Sequence, residues 1–138
     1  MVSEEKAKVL IVEDSENVRK SYADLLSDAG YEVLEAAEGK KALEIIKNQR
    51  PDLILLDLLL PEVNGFQILA KLKDHQQMRQ IPVLVLSALD GEAHIQRILK
   101  SGAADYVVKG SHSPEELLHK IQRFLSSHPS ARENGISK

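Results

Sequence analysis

The chain reads as an α/β domain: a doubly wound, five-stranded parallel sheet in the order 2-1-3-4-5, with helices on both faces. Three observations predict it. Five short segments rich in Val, Ile and Leu recur as nearly continuous apolar runs, the pattern of strands covered on both faces. Segments with apolar residues at helical spacing lie between them, so strand and helix alternate in right-handed crossover units. The length of 138 residues suits one core and is too short for two ordinary ones.

Each element has its own warrant. The strands are "KVLIV" (8–12), "YEVLEA" (31–36), "DLILLD" (52–57), "IPVLVLS" (81–87) and "DYVVK" (105–109). After the first strand, Val18, Tyr22, Leu25 and Ala29 fall on one helical face. Asp14 or Ser15 can cap that helix, and Gly30 suits its left-handed end. The second helix carries Leu43 and Ile46 and stops before Pro51; the third carries Phe66, Leu69 and Leu72. The fourth, roughly 91–101, groups Ile95, Ile98 and Leu99 and ends at Gly102. The fifth opens on "SPEE", where Ser113 caps, Pro114 takes the first turn and Glu116 completes a capping box. The folded unit is expected at 8–126, after a flexible N-terminus (1–7) and before a polar tail or linker start (127–138).

Composition narrows the classes. Apolar residues make up 43% and charged residues 28%, with a net charge of -3, so no polybasic signature points to direct nucleic-acid or membrane binding. There is no cysteine, hence no disulfide and no thiolate chemistry. The start "MVSEEKAK" has no hydrophobic leader, and no apolar run approaches the ~20 residues of a spanning helix. A cytoplasmic location is expected.

In doubly wound sheets the functional crevice lies beyond the carboxyl ends of the strands. Here those ends carry Glu13 and Asp14 (first strand), Asp57 (third), Ser87 (fourth) and Lys109 (fifth). An ionised carboxylate such as Asp57, inside the run "LILLDLLL", needs a partner or a cation, because burying it alone is costly. Three crowded carboxylates either rise in pKa or share a cation, and oxygen-only ligands favour Mg²⁺. Mg²⁺ with a lysine ammonium suits a phosphoryl group, to which Ser87 can donate a hydrogen bond. Viewed singly these residues are ordinary: Glu13 or Asp14 would serve as a helix cap, Ser87 as a strand-end hydroxyl, Lys109 as a solvated charge. The inference rests on their convergence. The histidines His75, His94, His112, His119 and His128 show no ligand spacing and read as surface residues.

The set "VEDSENVR", "LILLDLLLPEVNG", "VLSA" and "GAADYVVKG" resembles the receiver domain of two-component response regulators, over about 8–125, and so implies a flavodoxin-like fold. The resemblance implies that Asp57 is the phosphoacceptor, taking its group from a sensor histidine kinase or a histidine phosphotransfer protein. It implies that Asp14 binds Mg²⁺ directly, Glu13 directly or through water, and that Asp57 and the Leu59 carbonyl complete the protein ligands. Lys109 is then the catalytic ammonium, and Ser87 and Tyr106 the switch pair, with Ala88 leaving room for the phosphoryl group. The only catalysis expected is of its own phosphoryl transfer and autodephosphorylation. The helix 4, strand 5, helix 5 face is the implied surface for a downstream protein or a phosphorylation-dependent homodimer.

Two departures stand out. Lys109-Gly110 replaces the family's usual Lys-Pro with its cis peptide, and because a non-proline cis bond costs ~2.5–4 kcal/mol a trans or rearranged loop is expected. Leu60 stands where Met is common, a volume-preserving change. Leu59 and Leu89 are both apolar, which suggests a long-lived phosphoryl group. Rival readings are a receiver-shaped interaction module that works without phosphorylation, a phosphatase, which lacks material for a cap, and a flavin carrier, disfavoured by Glu13 and Asp14 where a cofactor phosphate would sit.

Overall fold

A computed structural model describes residues 6–60, 64–88 and 91–127. In chain order the elements are β1 (Lys8–Val12), α1 (Glu16–Asp28), β2 (Glu32–Ala36), α2 (Gly39–Gln49), β3 (Leu53–Asp57), α3 (Gly65–Lys73), a short 3-10 turn (Met78–Gln80), β4 (Val83–Ser87), α4 (Glu92–Lys100), β5 (Asp105–Val108) and α5 (Pro114–Ser127). The strands form one parallel sheet ordered β2-β1-β3-β4-β5, as expected. Only the 3-10 turn has no counterpart in the sequence reading. Expectations that fall on residues 1–5, Leu89, His128 and the rest of the tail lie outside the described residues. No helix among the described residues is long and apolar enough to cross a membrane.

Strand side chains alternate between faces, and this period divides the core in two. Leu10, Val12, Ile54, Leu56, Val83 and Val85 pack under α2, α3 and α4, against Ile46, Leu69 and Ile98 among others. Val9, Ile11, Leu53, Leu55, Leu84, Leu86 and Val107 pack under α1 and α5, against Ala23, Leu26, Leu117 and Ile121. A fully buried Leu or Ile of this kind contributes roughly 1.5–3 kcal/mol by leaving water. All of β3 and β4 is buried, which is why those runs carry no polar alternation.

Helix ends follow local chemistry. Ser15 caps α1, its side chain accepting from the Val18 N–H. Asn64 and Gln67 form a capping box at α3, and Ser113 and Glu116 form the expected one at α5, with N···O distances of 3.1 and 2.7 Å. Gly30 is left-handed, as anticipated, and so is Gly102 (φ 100° and 110°). The buried face of α1 is rotated from the expected one: Ala23 and Leu26 lie deepest, Tyr22 and Leu25 are half-buried, and Ala29 is exposed. Four residues at helical spacing define a stripe only to within one position either side. Leu99, grouped with Ile98 in the sequence, is likewise 37% exposed.

Candidate functional site

Strand alternation also sorts the rim. Glu13, Asp57 and Lys109 share phase with Ile11, Leu55 and Val107, so they converge on the α1/α5 side. Lys109 Nζ lies 2.9 Å from Glu13 Oε1 and 3.1 Å from Asp57 Oδ2. Both carboxylates are buried, Glu13 to 1% and Asp57 to 3% exposure. Asp14 is exposed at the mouth, yet it offers an oxygen within 4.8 Å of one from each of the other two.

Glu13, Asp57 and Lys109 are each tied to backbone. The Glu13 N–H donates to Ala36 O at 3.0 Å, and its carbonyl accepts from Arg19 Nη1 at 3.0 Å, an arginine itself paired with Glu35. Glu13 Oε2 accepts from the Ser15 N–H. Asp57 Oδ1 accepts from the Leu59 N–H at 3.2 Å, while Leu59 projects outward, 69% exposed. The Lys109 N–H donates to Ser87 O at 2.7 Å, which joins the lysine to the end of β4.

Electrostatics follow from this packing. Burial lifts the Glu13 carboxyl above its usual 4.5, opposed by Lys109 and the Ser15 N–H and reinforced by Asp57. Burial pulls the Lys109 ammonium down, but Glu13 and Asp57 together outweigh it and hold it above 10.5. Burial also raises the Tyr22 hydroxyl, against the pull of Lys109.

The residues present fit a hard divalent cation. They offer three carboxylates and no sulfur, and among the described residues the buried Glu13 Oε1 has no partner besides the Lys109 ammonium. Oxygen ligands of that kind suit Mg²⁺.

The loop after β5 answers the question raised by Gly110. Every peptide bond among the described residues is trans, and Gly110 has φ 78°. The Ser111 N–H donates to Val108 O at 3.1 Å, so Val108 to Ser111 form a tight turn of type II, with glycine where φ must be positive. His112 secures it. Its Nδ1 lies 3.0 Å from Val108 O, and because a carbonyl only accepts, that nitrogen carries the proton. Its ring stacks on Tyr22 of α1, centroids 6.2 Å apart at 11°.

Gly65, part of the "PEVNG" stretch, is a positioning residue that the sequence reading did not single out. A Cβ there would meet Leu58 Cα at 2.7 Å and Asp57 O at 3.1 Å, so α3 can approach the Asp57 backbone only through glycine. Gly65→Ala is expected to lower the unfolding free energy by about 1–3 kcal/mol, read by urea denaturation. An unchanged midpoint would mean that the loop yields freely.

Ser87 and Tyr106 have the opposite phase and face the α4 side. Tyr106 packs half-buried against that core layer, with Lys120 Nζ 5.7 Å from its ring centroid and 2.7 Å from Asp105. Ser87 is 5% exposed, and its Oγ lies 2.9 Å from His94 Nε2 on α4. This corrects the surface reading of the histidines: His94 and His112 are both half-buried and bonded, whereas His75 and His119 are exposed. Polar flanking residues concealed this, since a histidine on the inner edge of a surface helix has the same neighbours as one outside. A larger cleft of about 690 Å³ lies toward the β2 edge, lined by Arg19, Lys20, Glu35 and Lys40 among others, away from Asp57.

A doubly wound sheet whose rim gathers an acidic trio and a lysine, with a serine at the neighbouring strand end, places the chain among receiver-type signalling modules. A family model for the response regulator receiver domain matches residues 9–122, and the chain belongs to that family. The polar-differentiation response regulator DivK of Brucella anthropi is 40% identical over 117 residues, 85% of this chain and 94% of DivK. The chemotaxis response regulator CheY4 of Vibrio cholerae matches with a TM-score of 0.82 at 36% identity, over 88% of this chain and 100% of CheY4. The receiver domain of the sensor histidine kinase PA1611 of Pseudomonas aeruginosa PAO1, with a magnesium ion coordinated in its active site cleft, matches at 0.79 and 28% identity, over 88% of this chain and 99% of that domain.

Proposed function

We propose that this receiver domain, spanning 8–126, accepts a phosphoryl group on Asp57 from a phosphohistidine partner and changes conformation to signal onward. The observation that carries the reading is Lys109, within 3.1 Å of both a buried acceptor carboxylate and a buried acidic neighbour. An Asp57 oxygen attacks phosphorus, the new P–O bond forms as the donor's P–N bond breaks, and the electron pair leaves on the imidazole. The Lys109 ammonium balances charge on the equatorial oxygens as the group transfers. Glu13, Asp14, Asp57 and the Leu59 carbonyl would hold Mg²⁺, which when bound neutralises phosphoryl charge. Ser87 then donates to a phosphoryl oxygen and Tyr106 follows inward, a population shift toward the signalling state. The α4, β5, α5 face is the surface proposed to meet the downstream protein or a second copy.

The turn at Gly110 favours this reading over a phosphorylation-independent module, since Lys109 is held at the site without proline. Acetyl phosphate with Mg²⁺ is expected to add one phosphoryl group to the wild-type chain, read by intact mass. None is expected with EDTA, and none on Asp57→Asn. No adduct on wild type, or one that persists on Asp57→Asn, refutes the proposal. The Leu59 side chain offers no hydrogen bond to an attacking water, so Leu59→Asn is expected to shorten the life of the adduct.

A further inference from the structure

We propose that His94 is a positioning residue for Ser87: it engages the hydroxyl in the resting chain, and that bond must be given up before Ser87 can serve the phosphoryl group. The inference rests on the phosphoacceptor reading above and adds to it a residue on α4 that sets how readily the site converts.

The geometry is specific. Strand phase sends Ser87 out of the sheet on the α4 side, opposite to Asp57 and Lys109. There its Oγ meets His94 Nε2 at 2.9 Å. The two residues border a cavity of about 90 Å³ together with Leu58, Leu59, Asn64 and Phe66. Arg97, one turn along α4, stacks its guanidinium 4.1 Å from the Phe66 ring centroid. These two contacts help hold the helix at this wall, and one of them ends on Ser87. Whichever of Nε2 and Oγ donates, the bond is part-buried, with Ser87 5% exposed and His94 half-buried, so water replaces it only in part.

A hydroxyl taken up by His94 opposes the state in which Ser87 turns to Asp57, and a donor's apparent affinity falls with the fraction of chains in the competent state. Removing the bond is expected to raise that fraction by roughly two- to tenfold, the range of one ordinary hydrogen bond. The effect acts through Ser87 alone.

The test measures the initial rate of adduct formation from sub-saturating acetyl phosphate and Mg²⁺ with the full chain. His94→Phe keeps a ring and loses the bond, and should react two- to tenfold faster, by the same hydrogen-bond range. His94→Gln can restore the bond and should stay near wild type. In a Ser87→Ala background, His94→Phe should change nothing further. Independently, the imidazole ¹⁵N resonances of His94 in the wild-type chain should shift when beryllofluoride and Mg²⁺ are added, as the hydroxyl leaves; this readout stands even if His94→Phe fails to fold. An unchanged or slower rate for His94→Phe, an effect that persists in Ser87→Ala, or unmoved imidazole resonances overturns the proposal. A wild-type chain that takes no adduct refutes the phosphoacceptor reading, and this inference with it.

Discussion

Gly110→Pro, which would restore the residue usual in the family, is expected to damage this chain. Proline holds φ near -65°, whereas Gly110 sits at 78°, so the turn from Val108 to Ser111 cannot survive the exchange. Proline at an incompatible position costs more than the roughly 1 kcal/mol it contributes at a compatible one. The larger effect falls on Lys109, the residue just before it. Displacing a catalytic group by about 1 Å can cost on the order of a hundredfold in rate, so adduct formation from acetyl phosphate should fall by that order. Gly110→Ala is the control. Among the described residues nothing beyond its chain neighbours lies within 4 Å of a Cβ at Gly110, so its cost, about 1–2 kcal/mol, is that of the left-handed backbone alone. Wild-type stability and rate in Gly110→Pro would show that the turn is not what seats Lys109.

Lys109→Met is expected to have the largest effect on stability. Glu13 and Asp57 share that ammonium, and breaking a buried pair from one side costs 3–5 kcal/mol. Because Lys109 is 28% exposed, a loss of ~3 kcal/mol, the low end, is expected near pH 7 in EDTA. Mg²⁺ should recover part of it by supplying the missing positive charge, so the urea midpoint of the variant should gain more from Mg²⁺ than that of wild type. Losing an electrostatic donor to the transferring group should slow phosphorylation by about 10²–10³.

The pH dependence has a definite sign. The folded Glu13 holds its proton more tightly than the unfolded chain does, so its ionisation lowers stability as pH rises from 4.5 through the raised value. Lys109 contributes fully below 10.5 and loses its contribution as pH climbs through its raised folded pKa. In Lys109→Met the alkaline loss should disappear, while the acid-side decline should extend toward neutrality because Glu13 has lost an opposing charge. Urea unfolding across pH in EDTA reads both limbs.

Much of the molecule was legible because its local signals agree. Continuous apolar runs, capping boxes and glycine ends mark the βα units, and the strand ends name Glu13, Asp14, Asp57, Ser87 and Lys109. The structure brings the first three and Lys109 into one cluster, and places Ser87 on the opposite phase. Less legible were facts that depend on how elements pack. The α1 stripe leaves its rotation open, and only contact with the sheet selects Ala23 and Leu26. His94 and His112 resemble surface histidines until α4 and the β5–α5 turn are in place. Alternation along "VLVLS" was available as a signal: it puts Ser87 in phase with Val83 and Val85, toward the helices that cover them. Gly65 is visible only once α3 meets the Asp57 backbone.

The apolar completeness of β4 has a consequence for variation in its length. Val83 to Leu86 are buried on both faces, so a one-residue insertion there would leave a run equally able to pack. Its hydroxyl, however, would emerge among α1 and α5, on the same side as Lys109. Hydrophobicity alone does not hold such a strand in step, and shifting by one residue exchanges the faces of everything beyond it. In β4 the step is marked by its last residue, the serine whose hydroxyl meets His94 on the α4 side.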